Sequence, residues 1–193
     1  MGGFWQALFF GKIIESPLAV RSVHCFAVPM SRPYEEILNG QPCLRPAPGD
    51  RHELICDRLH RLLAASVTNL AAVRLAPPRT AIPLSPATRI CPDLELLDAA
   101  TGQLFLVVEI VSRDDHRTDT VTKKEIYDDF KVPRLWMVDL RYDNVEIYHQ
   151  SDFGLKLHAI LAGNEVLAEK NLPEFAVVIA ELFAWPVPAE AAS

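Results

Sequence analysis

Residues 92–112 read PDLELLDAATGQLFLVVEIVS, from Pro92 to Ser112. Leu94, Leu96 and Leu97 form one strand-like segment. Leu104 to Val111 is a second, dominated by Leu, Phe, Val and Ile. Asp98 to Gly102 is turn material, so the stretch predicts a hairpin with a loop of about five residues. If Asp98 faces Leu104 across that turn, Asp93 faces Glu109. Directly opposed residues on one face hold their Cβ atoms about 4.5–5.5 Å apart. Two carboxylates at that spacing, among apolar neighbours, repel. A shared proton or a bound cation is the usual remedy, and paired carboxylate oxygens suit Mg²⁺ or Mn²⁺. On this argument Asp93→Asn relieves repulsion and leaves the metal-free protein as stable as before, or more so. A one-residue register shift would instead split the pair onto opposite faces.

Downstream, Asp119 to Phe130 has a helical pattern that Val132-Pro133 ends. At about 100° per residue, Ile126, Tyr127 and Phe130 define an apolar face. Lys123 and Asp119 fall on that face, whereas Lys124 points to the polar side. Charged residues inside an apolar stripe are unusual. One reading is a lysine aimed at an anionic site beside the hairpin. The other is a lysine that snorkels and pairs with Asp119 at i, i+4. Asp93, Glu109 and Lys123 together suit phosphodiester hydrolysis. There a metal polarises the phosphoryl oxygen and a lysine stabilises charge developing in the transition state. Arg113, His116, Arg117 and Lys124 form a basic cluster, read either as phosphate-backbone contacts or as a solvated loop.

Upstream, Tyr34 to Leu38 followed by Asn39-Gly40 is a short element closed by a turn. Asp50 opens a helix, with Glu53 at capping-box spacing. Leu54, Ile55, Leu59, Leu62, Leu63 and Val67 give that helix one buried stripe. The prolines from Pro77 to Pro86 mark an irregular crossing. Beyond the second helix, Leu135 to Val138 and Val145 to Tyr148 are strands joined by the turn Arg141-Tyr142-Asp143-Asn144. Leu155 to Ile160 is a further candidate strand, and Leu172-Pro173 precedes an apolar segment through Phe183. The order predicts an α/β fold, a mixed sheet flanked by helices.

A length of 193 residues fits one domain, and an apolar half with 23% charged residues is enough for a sizeable core. A net charge of -6 argues against a nucleic-acid coat protein, but not against an enzyme with one local basic patch. No apolar run is long enough to cross a bilayer, so no membrane partner is expected. The four cysteines form no CxxC pair and are read as reduced thiols of a cytoplasmic protein. No basic residue precedes the apolar stretch Phe4 to Phe10, which argues against a signal peptide. The expected organisation is an extension over residues 1–29, which an upstream start codon would explain, a domain over 30–185 and a tail over 186–193.

Pro92-Asp93, Glu109-Ile110-Val111-Ser112, Asp119, Lys123, Tyr127, Pro133 and Trp136-Met137-Val138-Asp139 occur in that order. Glu36-Ile37-Leu38-Asn39-Gly40, Pro46-Ala47-Pro48 and His52 precede them. Leu172-Pro173 and Glu181-Leu182-Phe183 follow. This ordered set resembles the Uma-type putative restriction endonuclease family, a branch of the PD-(D/E)xK nuclease superfamily, from about Tyr34 to Phe183. The resemblance implies a restriction-endonuclease-like core and an Mg²⁺- or Mn²⁺-dependent endonuclease acting on DNA. Its acidic pair carries over to Asp93 and Glu109. The superfamily's usual lysine position holds Val111, and the family's migrated lysine corresponds to Lys123, the residue that the helical face also selects. Asp93, Glu109 and Ile110 are the expected metal ligands. Glu36, His52, Asp119 and Tyr127 are candidate accessories, and Arg113, Arg117 and Lys124 candidate nucleic-acid contacts. Arg113 departs from the family's frequent proline after Ser112. Nucleases that cut both strands often dimerise, which makes a homodimer an expectation. Two other readings compete: a catalytically weak nucleic-acid-binding or regulatory module, and a protein-interaction scaffold.

Overall fold

The computed structural model describes residues 32–68, 70–112 and 118–186, with the side chains of Thr118 and Asp119 excepted. The expected extension, most of the tail, and the candidates Arg113, His116 and Arg117 lie outside the described residues.

The quoted stretch is the centre of a mixed sheet. Strands β6 (Leu94–Asp98) and β7 (Leu104–Val111) pair antiparallel, as the hairpin signal predicts. Their register sets Leu94 against Val108, so its continuation brings Asp93 opposite Glu109. The anchor assumed for this register is corrected. Leu104 pairs with Leu97, because a bulge beyond Leu96 absorbs one residue near the turn. The bulge leaves the alignment at the far end intact.

After β7 the chain crosses over and returns as β8 (Arg134–Asp139), which pairs parallel with β7. The crossover holds a π-helical turn, Thr118–Lys123, and then the short α2 (Lys124–Asp129). The expected single helix from Asp119 to Phe130 is therefore split into two windings. Phe130 is also corrected: it ends the helix 41% exposed rather than joining the buried face. Strands β9 (Asn144–Ser151) and β10 (Gly154–Ala162) continue the sheet antiparallel, and β3 (Val73–Leu75) closes the other edge. The resulting order is β10-β9-β8-β7-β6-β3.

Alternation along β7 divides the core. Leu106, Val108 and Ile110 face α1 (Asp50–Val67), with Trp136 and Val138 of β8, β12 (Leu172–Val178), which pairs with β11 (Val166–Glu169), and α3 (Ile179–Phe183). Val107 and Val111 face the other way, against Ile126 and Tyr127 of α2 and Leu135 and Met137 of β8. Helix α1 buries Ile55, Leu59 and Leu63 completely; each such side chain stabilises the fold by roughly 1.5–3 kcal/mol. Its N-cap is Gly49, with no side-chain cap bond, so the anticipated capping box does not form.

A second, four-stranded sheet covers the α2 side. It runs β2 (Gln41–Arg45), β1 (Tyr34–Leu38), β5 (Thr88–Ile90), β4 (Ile82–Ser85). Asn39 and Gly40, at φ 50° and 82°, make the tight β1–β2 turn. The proline-rich crossing thus contains β4, the first strand of the β4–β5 hairpin, which its prolines conceal. Ile37 pairs with Arg89, and this register leaves Glu36 fully buried.

Candidate active site

Four carboxylates and four basic groups converge where β1, the start of β6, β7, α1 and the π-turn meet. Glu36, Asp93, Glu109 and Lys123 are all at most 3% exposed. Burying such groups is tolerable only when each finds charge or hydrogen-bond partners.

Alternation places Glu109 on the α2 side of β7, between Val107 and Val111. Its Oε1 lies 2.6 Å from Lys123 Nζ, and the Tyr127 hydroxyl donates to the same oxygen. Lys123 Nζ is also 3.1 Å from Glu36 Oε1, which accepts the Cys91 N–H at 2.7 Å. Arg45 Nε approaches the other Glu36 oxygen at 3.6 Å. Burial pushes the Tyr127 hydroxyl well above its usual pKa, and the Glu109 charge adds to this. Tyr127 therefore keeps its proton and donates a hydrogen bond to Glu109.

Asp93 takes its partners from β7, from α1 and from the loop after β3. Oδ2 accepts the Ile110 N–H at 2.8 Å and faces His52 Nε2 at 3.2 Å. Oδ1 lies 3.3 Å from Arg79 Nε. Burial alone would raise its pKa, but the charge and hydrogen bond of His52, then Arg79 and the Ile110 amide, hold it down to about 2. The neighbouring carboxylate likewise raises the His52 pKa against the opposing effect of burial. This corrects the expectation that Asp93→Asn relieves repulsion. The two carboxylates are neutralised by separate partners, so Asp93 contributes stability through its charge.

Asp93, Ile110, His52 and Ser112 line a cleft of about 230 Å³, together with Tyr34, Arg45 and Arg51. Two buried carboxylates beside a polar cleft are hard oxygen donors, and they fit Mg²⁺ or Mn²⁺ with water completing the shell. Among the described residues no three His, Cys, Asp or Glu side chains form a metal cage. A cation here would thus be held by the pair and by backbone or water oxygens.

The sequence-selected residues Asp93, Glu109, Ile110, Lys123, Glu36, His52 and Tyr127 all meet in this cluster. Asp119 lies on the π-turn, with its side chain undescribed. Lys124 points elsewhere: its Nζ stands 4.0 Å from the centroid of the Tyr148 ring. Arg79, Glu53 and Arg45 were not selected. Glu53 looks like a capping residue in sequence, and nothing in a proline-rich loop marks Arg79. Cys43, Cys56 and Cys91 are free thiols, and Cys25 lies outside the described residues. Among the described residues no helix is long and apolar enough to cross a membrane.

The profile of the Uma2 family, described as "Putative restriction endonuclease", matches residues 28–180. Among solved structures, a putative nuclease belonging to DUF820 from Anabaena variabilis ATCC 29413 superposes with a TM-score of 0.66 at 15% identity. The match covers 81% of this chain and 93% of that one. At that identity the likeness establishes the fold, which is restriction-endonuclease-like. No curated protein matches the chain.

Proposed function

The chain belongs to the Uma2 putative restriction endonuclease family, and on that premise we propose that it is a metal-dependent endonuclease hydrolysing DNA phosphodiester bonds. The observation that carries this reading is the ion pair of Lys123 with Glu109, opposite Asp93. A fully buried lysine is costly unless its charge is used. Here it stands beside an acidic pair on the central strand.

Asp93 and Glu109 would hold the cation, with the Ile110 backbone alongside. Bound there, a divalent cation supplies Lewis acidity at the phosphoryl oxygen and lowers the pKa of water. Lys123 places a fixed positive charge where negative charge develops in the transition state, in a site too dry for water to screen it. Tyr127 donates a hydrogen bond to Glu109 and so orients that carboxylate. His52 and the Ile110 amide hold Asp93 ionised. The DNA strand would enter along the cleft past Arg45 and Arg51, and a homodimer would supply the second site that a double-strand cut requires.

Cleavage of plasmid, linear and single-stranded DNA with Mg²⁺ and with Mn²⁺, beside an Asp93→Ala control, tests the proposal. Metal-dependent nicking or cutting that the control loses is the expected result. DNA binding with no cleavage under any of these conditions would favour a non-catalytic module instead.

A further inference from the structure

Arg79 follows β3 with a backbone φ of 56°, a left-handed conformation that costs energy in a non-glycine residue. In it, main chain and side chain grip the same segment. The Arg79 N–H lies 3.1 Å from the Pro92 carbonyl oxygen and 3.3 Å from that of Asp93. Its Nε donates to Asp93 Oδ1 at 3.3 Å, and its Nη2 donates to Glu53 Oε1 at 2.7 Å. Glu53 belongs to α1, adjacent to His52, which meets the other Asp93 oxygen.

We propose that Arg79, braced by Glu53, is a positioning residue that fixes the Asp93 carboxylate for cation binding; this rests on the nuclease reading above. Asp93 lies in a bend before β6, so no strand ladder holds it. A carboxylate offers about four acceptor positions. Ile110 and His52 take two on Oδ2, and Arg79 takes one on Oδ1. The position left is on Oδ1, the oxygen that Arg79 orients. The planar guanidinium can join two carboxylates at fixed angles, which a lysine ammonium cannot.

A simple counter-ion would act with the opposite sign. A cation beside a metal ligand opposes metal binding, so its removal would tighten binding. Loss of an orienting partner weakens it, typically by about 10–100-fold. The test measures Mn²⁺ affinity by titration in wild type, Arg79→Lys and Arg79→Gln. Metal-free amide exchange at Ile110 reports directly on the Asp93 carboxylate. Expected are Mn²⁺ affinities about tenfold or more weaker in both variants, and faster Ile110 exchange with Leu106, in the same strand, still protected. Equal or tighter Mn²⁺ binding by Arg79→Gln, or an unchanged Ile110 amide, would overturn the proposal. If wild type binds no Mn²⁺, the nuclease reading fails and the Ile110 amide alone decides the role of Arg79. Should either variant not fold, Glu53→Gln removes only the brace and should show the same two changes at smaller size.

Discussion

Lys123 Nζ lies 2.6 Å from Glu109 Oε1, and both side chains are sealed from solvent. The lysine comes from the last residue of a π-turn and the glutamate from the central strand. Around them Glu36, Glu53 and Asp93 are met by Arg45, Arg79 and His52. Neutralisation by protein groups explains how this many carboxylates stay buried together.

Removing the lysine should therefore cost stability as well as activity. Lys123→Ala leaves the buried Glu36 and Glu109 without their shared ammonium, and breaking a buried pair typically costs about 3–5 kcal/mol. Urea unfolding in metal-free buffer should show a clearly lower midpoint. A midpoint equal to wild type would mean that the two glutamates are not held as the ion pairs require.

Asp93→Asn is expected to destabilise the metal-free protein, on the order of 2 kcal/mol, from a carboxyl lowered from 3.8 to about 2. The sign follows from a depressed folded-state pKa. The stabilisation is complete above the unfolded value of 3.8 and disappears as pH falls towards 2. Melting temperatures at pH 7 and pH 2.5 test it. The difference between variant and wild type should be large at pH 7 and shrink at pH 2.5, and an equal difference at both would contradict it.

Glu95 should show the opposite pH dependence. Burial raises its pKa from 4.5 to about 8, against the smaller opposing effects of the Arg74 charge and the Thr80 hydroxyl. The folded state therefore keeps the proton that the unfolded chain releases. Its contribution is fully present below 4.5 and is lost as pH rises through about 8. Glu95→Gln should be more stable than wild type at pH 9 and lose this slope. Parallel stability curves for the two proteins between pH 5 and pH 9 would refute the assignment.

The central sheet and most of the site could be read in the sequence because both depend on period. Period two placed Glu109 between Val107 and Val111, and a helical period separated Lys123 from Lys124. The β4–β5 hairpin was hidden because Pro83 interrupts its first strand and Pro86 its turn, and propensity alone reads Pro77 to Pro86 as loop. The partners of Asp93 were hidden for another reason. His52 and Arg79 reach it from α1 and from the loop after β3, and such tertiary pairings leave no periodic trace. For the same reason the sequence overstated the repulsion between Asp93 and Glu109.

The adjacent lysines test the central claim most directly. Lys123 is buried against Glu109 and Glu36, while Lys124 is partly exposed and lies over Tyr148. Single-turnover DNA cleavage with Mn²⁺ should be measured for Lys123→Ala and Lys124→Ala at two salt concentrations, per folded molecule. Lys123→Ala should lose roughly 10²–10³ in rate, by analogy with the loss of one transition-state donor, with a smaller loss of binding. Lys124→Ala should lose at most a modest, salt-dependent part of its DNA affinity. Equal losses, or a larger loss at Lys124, would contradict the placement of the site around Asp93, Glu109 and Lys123.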